Sequence, residues 1–235
     1  MNDARFDLGL YSLPEAARLA RVPGQTLRNW VTGYRYPRAG QRVEASPVIR
    51  PTAASEPAAL SFVNLVEALT LAGFREMGVP LQRVRTALDY AAEALGVEHL
   101  LASERILSDG LDLFWEFQEQ TGESPHLVNM SRGGQKAFPE AVGRYLREVE
   151  WGSDSFAKRW WPGATAATEG LVVVDPNRAF GAPVLVGTGI RTQDIFLRFS
   201  AGESIADLTE DYGLTVPQVE SAIRLEATLL EPLAA

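Results

Sequence analysis

Apolar residues first fall into helical register near the start of the chain. Leu13, Ala16, Ala17 and Ala20 are spaced i, i+3, i+4 and i+7, which places them on one face of a two-turn helix. Ser12 precedes that face as a candidate N-cap, Pro14 suits the first turn, and Glu15 complements the helix dipole. The stretch Arg21-Val22-Pro23-Gly24 interrupts the pattern. Leu27, Trp30 and Val31 resume it in a second helix, predicted from about Gln25 to Thr32 and closed by Gly33. The same spacing turns Gln25, Arg28 and Asn29 outward. Tyr34 to Arg42 carries the turn residues of a hairpin, and Val48-Ile49-Arg50 is the expected returning strand.

Two longer periodic runs follow. Between Ser61 and Met77, the residues Phe62, Leu65, Val66, Leu69, Ala72 and Gly73 line one stripe; between Leu81 and Leu95, Leu81, Val84, Leu88, Ala91, Ala92 and Leu95 do the same. Both helices are expected to build a core and a dimer face. After Glu98 the period changes. Arg105 to Trp115 predicts two short strands around an Asp109-Gly110 turn, Leu127 to Met130 another strand, and Phe138 to Val149 a helix. Trp151, Trp160 and Trp161 cluster with only Lys158 and Arg159 between them, which favours a packed core over a base-stacking platform. Near the end, Val172–Pro176 and Pro183–Val186 read as strands. Three helices follow, Thr192–Ser200, Ser204–Tyr212 and Thr215 to about Leu229, separated by Gly202 and Gly213. The expected class is α+β, mostly α. A winged helix-turn-helix spans 1–96, a β-containing connecting region 97–169, and a three-helix, helix-turn-helix-like unit 170–235.

Composition narrows the functions this fold can serve. With 46% hydrophobic and 22% charged residues, the 235-residue chain can build real cores. It has no cysteine, which excludes disulfides, Cys-based zinc sites and a thiol nucleophile together. His99 and His126 stand apart without ligand spacing, and no paired-carboxylate motif of two-metal chemistry is present. No catalytic residue, metal or cofactor is therefore expected. No run approaches the roughly 18 apolar residues of a membrane span, and residues 1–10 do not read as a secretory signal, so a cytoplasmic protein is expected.

The net charge of −8 conceals an uneven distribution. Between Arg18 and Arg50 lie seven arginines and one acid, a local surplus of six positive charges. Arg, Gln and Asn are the side chains that read guanine and adenine edges with paired hydrogen bonds. Gln25, Arg28 and Asn29 are therefore candidate base readers, with Tyr34, Arg35, Arg38 and Arg42 as candidate backbone contacts from the hairpin. The competing reading, a helical pair with a solvated polar face, does not account for the arginine-rich stretch that follows. From Glu203 to Glu226, by contrast, six acids face one base, Arg224, a surface that repels phosphates and suits a protein partner. Gly187-Thr188-Gly189 lacks the third glycine and the lysine of a phosphate loop.

Two stretches resemble known families. Tyr11-Ser-Leu-Pro-Glu-Ala-Ala-Arg-Leu-Ala, Gln25-Thr-Leu-Arg-Asn-Trp and Leu60-Ser-Phe-Val-Asn-Leu-Val-Glu resemble MerR-like winged helix-turn-helix domains, to about residue 96. The resemblance implies that Arg28 enters the major groove and that Arg35 or Arg38 touches the DNA backbone. The chain departs from that family in its longer wing, rich in Pro, Ala and Ser from Ser46 to Pro57, and in lacking the coiled-coil helix with effector-binding cysteines. Gly181-Ala-Pro-Val-Leu-Val-Gly-Thr-Gly-Ile-Arg-Thr, Ala201-Gly-Glu-Ser-Ile and Asp211-Tyr-Gly-Leu-Thr resemble a prokaryotic family of unknown function, over about 170–228. Its members are often encoded beside PIN-like toxins and treated as VapB-like antitoxins. Together the two resemblances imply a VapB-type antitoxin that binds duplex operator DNA and a PIN-domain ribonuclease; because one helix-turn-helix covers only a half-site, a second copy of the chain is also expected as a partner. The resemblances also imply repression of its own operon. The mostly apolar end, Leu229 to Ala235, offers no arginine to insert among a toxin's carboxylates. The alternative is a free-standing regulator sensing a small ligand through its middle region. Division of labour predicts that a fragment ending near Gly96 binds DNA and one starting near Gly170 binds the protein partner.

Overall fold

The computed structural model describes residues 3–38, 41–51, 59–76, 78, 80–96, 98–106, 147–163 and 170–231. A one-turn helix, α1 (Ala4–Asp7), opens the chain, and α2 (Leu13–Leu19) and α3 (Gly24–Thr32) form the helix-turn-helix. The Ser12 hydroxyl accepts from the Glu15 amide and caps α2, as its position before the apolar face predicts. Leu27, Trp30 and Val31 are buried, so α3 turns the expected face inward.

The wing departs from expectation. Strand β1 (Tyr34–Arg38) pairs antiparallel with β2 (Gln41–Ala45), in register from Tyr34 opposite Ala45 to Arg38 opposite Gln41. The returning strand is therefore β2 and not Val48–Arg50. Only two residues separate β1 from β2 in sequence. Val48 and Ile49 instead donate their amides to the Trp30 carbonyl at 2.8 and 3.0 Å, and Ile49 is fully buried. Gly33 permits the close approach: at φ +73° it takes a left-handed conformation, and a Cβ there would collide with the Ala45 carbonyl.

Helix α4 (Phe62–Glu76) is not amphipathic. Every residue from Phe62 to Phe74 is buried, so the expected stripe is a full circumference and the helix has no free face for a dimer contact. Helices α1 and α2, the 3-10 turn Leu100–Ala102 and strand β4 surround it. Its polar side chains survive burial because each finds a partner. Thr70 donates to the Leu101 carbonyl at 2.8 Å, and Asn64 donates to the Arg50 carbonyl at 3.0 Å and to Glu67 at 2.9 Å. Helix α5 (Leu81–Leu95) follows Pro80 and ends at Gly96.

In the connecting region, Arg105 and Ile106 are helical, so no strand begins at Arg105. The Ser103 hydroxyl accepts from the Arg105 amide and starts a helical turn there. Residues 107–146 lie outside the described residues, and with them the Asp109-Gly110 turn, the Leu127–Met130 strand, His126 and residues 138–146 of the expected helix. Arg147 and Glu148 form a turn and Val149 opens strand β3 (Val149–Trp151), so that helix does not reach Val149. Strand β4 (Ala157–Trp160) pairs with β3. Trp160 is buried, with its indole N–H donating to Glu148 at 3.0 Å, and Trp151 packs partly buried against the core.

The C-terminal unit has a two-strand sheet, β5 (Val172–Val173) with β6 (Val184–Leu185), and helices α6 (Thr192–Ser200), α7 (Ile205–Tyr212) and α8 (Val216–Leu230). Reciprocal capping boxes start α7 (Ser204 with Asp207) and α8 (Thr215 with Gln218). Ile195, Leu208, Val219 and Ala222 fill its core. The Gly187-Thr188-Gly189 segment closes on itself: the Thr188 hydroxyl donates to the Leu185 carbonyl and accepts from the Ile190 amide.

The two ends of the chain share one core. Leu229, Val174 and Trp160 belong to the same buried cluster as Trp30 and Leu65. Trp160 and Val174 exchange backbone hydrogen bonds at 3.0 and 2.8 Å. The buried Tyr11 hydroxyl donates to the Gly181 carbonyl at 2.9 Å, and a Cβ on Gly181, which has φ +76°, would collide with that hydroxyl.

Candidate nucleic-acid interface

On α3, Gln25 and Arg28 are exposed and Asn29 is half-buried. The Gln25 amide donates to the Asn29 side-chain oxygen at 2.9 Å. That bond uses one of two donors on Gln25 and one lone pair on Asn29, so each amide retains a donor and an acceptor for a base edge. Arg28 stands exposed on the same helix, with five N–H donors in its fork. Sequence reasoning missed Arg75, at the end of α4, whose guanidinium donates to the Thr26 hydroxyl in the first turn of α3 at 3.3 Å. Its only signal was a cation after a long apolar run.

The hairpin divides its candidates between two faces. Cross-strand register puts Arg35, Glu44 and Arg42 on one face, and Tyr34, Tyr36 and the Arg38 position on the other. Arg35 meets Glu44 at 3.6 Å with both side chains about 70% exposed, a pair that screening leaves weak and open to exchange for phosphate. Tyr34 is anchored at the wing base. Its ring lies 5.7 Å from that of Tyr36, and the Arg85 guanidinium sits 5.4 Å from its centroid.

Not all of the positive island belongs to this surface. Arg18 pairs with the buried Glu226 carboxylate of α8 at 2.7 Å, and Arg21 donates to the Glu231 carbonyl at 3.1 Å. Both face the C-terminal unit. Arg28 remains on α3, and Arg35, Arg38 and Arg42 on the hairpin. The acidic surplus is also smaller in space than in sequence. Arg198, just outside the counted stretch, bridges Glu203 and Asp211, the latter at 2.5 Å; Glu220 pairs with Arg224; and Glu226 is taken by Arg18. Asp207 and Glu210 remain on α7. The unit also exposes Phe180, Leu197, Val216 and Leu230. Phe180 is 80% exposed and held outward by consecutive left-handed residues, Ala179 at φ 46° and Phe180 at φ 55°.

His99, which has no ligand motif in sequence, meets Glu67 at 3.0 Å beneath the wing. Burial opposes its charge, but the Glu67 hydrogen bond and the charges of Glu67 and Glu98 outweigh burial and raise its pKa. Among the described residues no three His, Asp or Glu side chains gather as a metal site, and no helix is long and apolar enough to cross a membrane.

Comparison with known proteins finds two family matches. Residues 9–88 match a family described as "Putative DNA-binding HTH domain", and residues 172–224 match "Protein of unknown function (DUF433)". The chain is 36% identical over 230 residues to the Mycobacterium tuberculosis protein named "Putative antitoxin VapB45", covering 94% of this chain and 95% of the relative. It is 25% identical over 238 residues to the uncharacterized protein Rv2308 of the same organism, covering 93% and 90%. The crystal structure of Rv2018 from Mycobacterium tuberculosis superposes with a TM-score of 0.68 at 30% identity, covering 93% of this chain and 99% of that one.

Proposed function

Because the chain belongs to the family of VapB45, the VapB-type antitoxins with an N-terminal helix-turn-helix, we propose that it is a non-catalytic antitoxin that binds its own operator. In this reading it neutralises a PIN-domain ribonuclease encoded beside it. The observation that carries the DNA-binding part is the α3 surface. Gln25, Arg28 and Asn29 are presented together on a helix whose opposite side is locked into the core by Trp30 and Leu27. Arg28 reads a guanine, Gln25 and Asn29 read adenine edges, and Tyr34, Arg35, Arg38 and Arg42 hold the phosphates flanking the site. One such module covers a half-site, so the operating unit is a homodimer on a two-fold operator. Since α4 is buried from Phe62 to Phe74, the dimer contact lies elsewhere. The exposed apolar side chains of the C-terminal unit offer surface for the second copy or the toxin.

The experiment is co-expression of the full chain with the adjacent ribonuclease. Growth rescue together with co-purification supports the antitoxin reading. Unrelieved toxicity with both proteins soluble and separate contradicts it. A second reading, regulation by a small ligand, draws support from a cavity below the wing, lined mostly by residues ahead of the middle region where the sequence suggested it.

A further inference from the structure

Beneath the wing base, α5 meets α4 and the segment that leaves the hairpin around a cavity of about 410 Å³. That volume lies in the range of small-molecule sites. Arg50, Glu67, Arg85, Asp89, Glu98 and His99 supply its charged lining. Arg85 is the anomaly. It is only 6% exposed, its Nε donates to the Ser46 carbonyl at 2.8 Å, and its Nη2 is buried with no hydrogen-bond partner. A buried guanidinium nitrogen without an acceptor is costly, and such groups are few in a native structure and call for a partner.

The surrounding charges say what that something is. Glu67, the buried carboxylate of the lining, is already engaged by His99 at 3.0 Å and by Asn64 at 2.9 Å. Asp89 and Glu98 are exposed at the rim, as is Arg50. The interior therefore lacks one acceptor, whereas the mixed rim turns away extended polyanions such as nucleic acid. We propose that this cavity binds a small metabolite bearing a single carboxylate or phosphate group, which accepts hydrogen bonds from Arg85. Arg85 also holds the wing. It bonds the carbonyl of Ser46, one residue after β2, and covers the ring of Tyr34, the first residue of β1. An occupant thus engages the side chain that fixes the wing base. The site stands independently of the antitoxin reading, because its test involves neither DNA nor toxin.

The probes are inorganic phosphate and acetate, titrated against the full chain at constant ionic strength with chloride as the balancing anion. Thermal unfolding is followed for wild type, Arg85→Met and Arg50→Gln. The midpoint of the wild type is expected to rise by roughly 3–5 °C once a probe exceeds its dissociation constant about tenfold. A response to phosphate alone identifies a phosphate-bearing ligand, and a response to acetate a carboxylate-bearing one. Arg85→Met is expected to abolish the rise and Arg50→Gln to reduce it. If Arg85→Met does not fold, Arg85→Lys, which keeps the charge and loses the guanidinium fork, is expected to cut the rise by at least half. An equal rise in wild type and Arg85 variant reflects general salt stabilisation and overturns the proposal, as does no rise with either probe at 50-fold excess over the ~1 mM affinity typical of such small fragments.

Discussion

The Arg18 guanidinium on α2 and the Glu226 carboxylate on α8 meet at 2.7 Å across 208 residues of sequence, and they join the helix-turn-helix to the C-terminal unit. Glu226 is 97% buried at 3% residual exposure, and its other oxygen accepts from the Thr192 hydroxyl at 2.5 Å. One carboxylate therefore ties α2, α6 and α8 together. The ionic link joins elements that also share a buried apolar cluster, which includes Leu229 and Trp160.

Breaking this link is expected to be costly. Glu226→Ala removes the carboxylate partner of Arg18 and Thr192 and is expected to destabilise the chain by roughly 2–4 kcal/mol, reduced from a fully buried pair because Arg18 is partly exposed. Urea unfolding of Arg18→Ala, Glu226→Ala and the double variant gives the coupling. An interaction energy above about 1 kcal/mol is expected, and additive losses contradict the link.

Gly181 lets Tyr11 approach the C-terminal unit. Gly181→Ala introduces a methyl group into the space of the Tyr11 hydroxyl and requires a side chain at φ +76°. The expected loss is roughly 2–3 kcal/mol, against about 1 kcal/mol for Tyr11→Phe, which removes only the hydrogen bond. Chemical unfolding of both variants checks the order. Equal losses would show that the close approach itself contributes nothing.

The His99–Glu67 pair makes stability depend on pH. Because the folded-state pKa of His99 is raised, its contribution is complete below the unfolded value near 6.5 and is lost as pH rises through the folded value. Glu67 from α4, the neighbouring Glu98 and the opposing Arg50 are the charges that set it. Unfolding measured at pH 6 and pH 8.5 is expected to show greater stability at pH 6, relative to the same comparison for His99→Gln. An identical pH response of the two proteins would remove His99 as the cause.

The local grammar of helices was legible in the sequence. Ser12, Ser204 and Thr215 cap where the periodicity begins, and Trp30 and Leu27 point inward as their spacing requires. The register of α4 was not. Periodicity assigns a helix one apolar face, and only tertiary packing reveals that Asn64, Glu67 and Thr70 on the other side are buried with partners. The wing strand was misplaced because Val48 and Ile49 look like a strand, although Trp30 recruits their amides. Charge was readable as a total and unreadable as a surface. Arg18 and Arg21 counted toward DNA while facing Glu226 and Glu231, and Arg198 lay beyond the stretch whose acids it neutralises. The candidates Gln25, Arg28 and Asn29 do share one outward face, with Asn29 half-buried beside Gln25, because helical spacing alone dictates that relationship.

Wing and helix are expected to contribute differently to DNA. Arg42→Ala removes the proposed phosphate contact and is expected to weaken binding to all duplexes alike, lowering the salt slope by about one. Anisotropy titrations at several salt concentrations test this. A loss confined to the operator sequence would place Arg42 among the base readers instead.

The most direct test of the account is the affinity of the full chain for a duplex from its own promoter and for a scrambled duplex, measured by fluorescence anisotropy at physiological salt. Wild type is expected to prefer the promoter duplex by at least about 10³-fold, and Arg28→Ala to lose roughly 1–3 kcal/mol on the promoter while its binding to the scrambled duplex changes little. Equal binding of both duplexes by wild type, or promoter affinity unchanged in Arg28→Ala, would contradict the assignment of α3 as the helix that reads the operator.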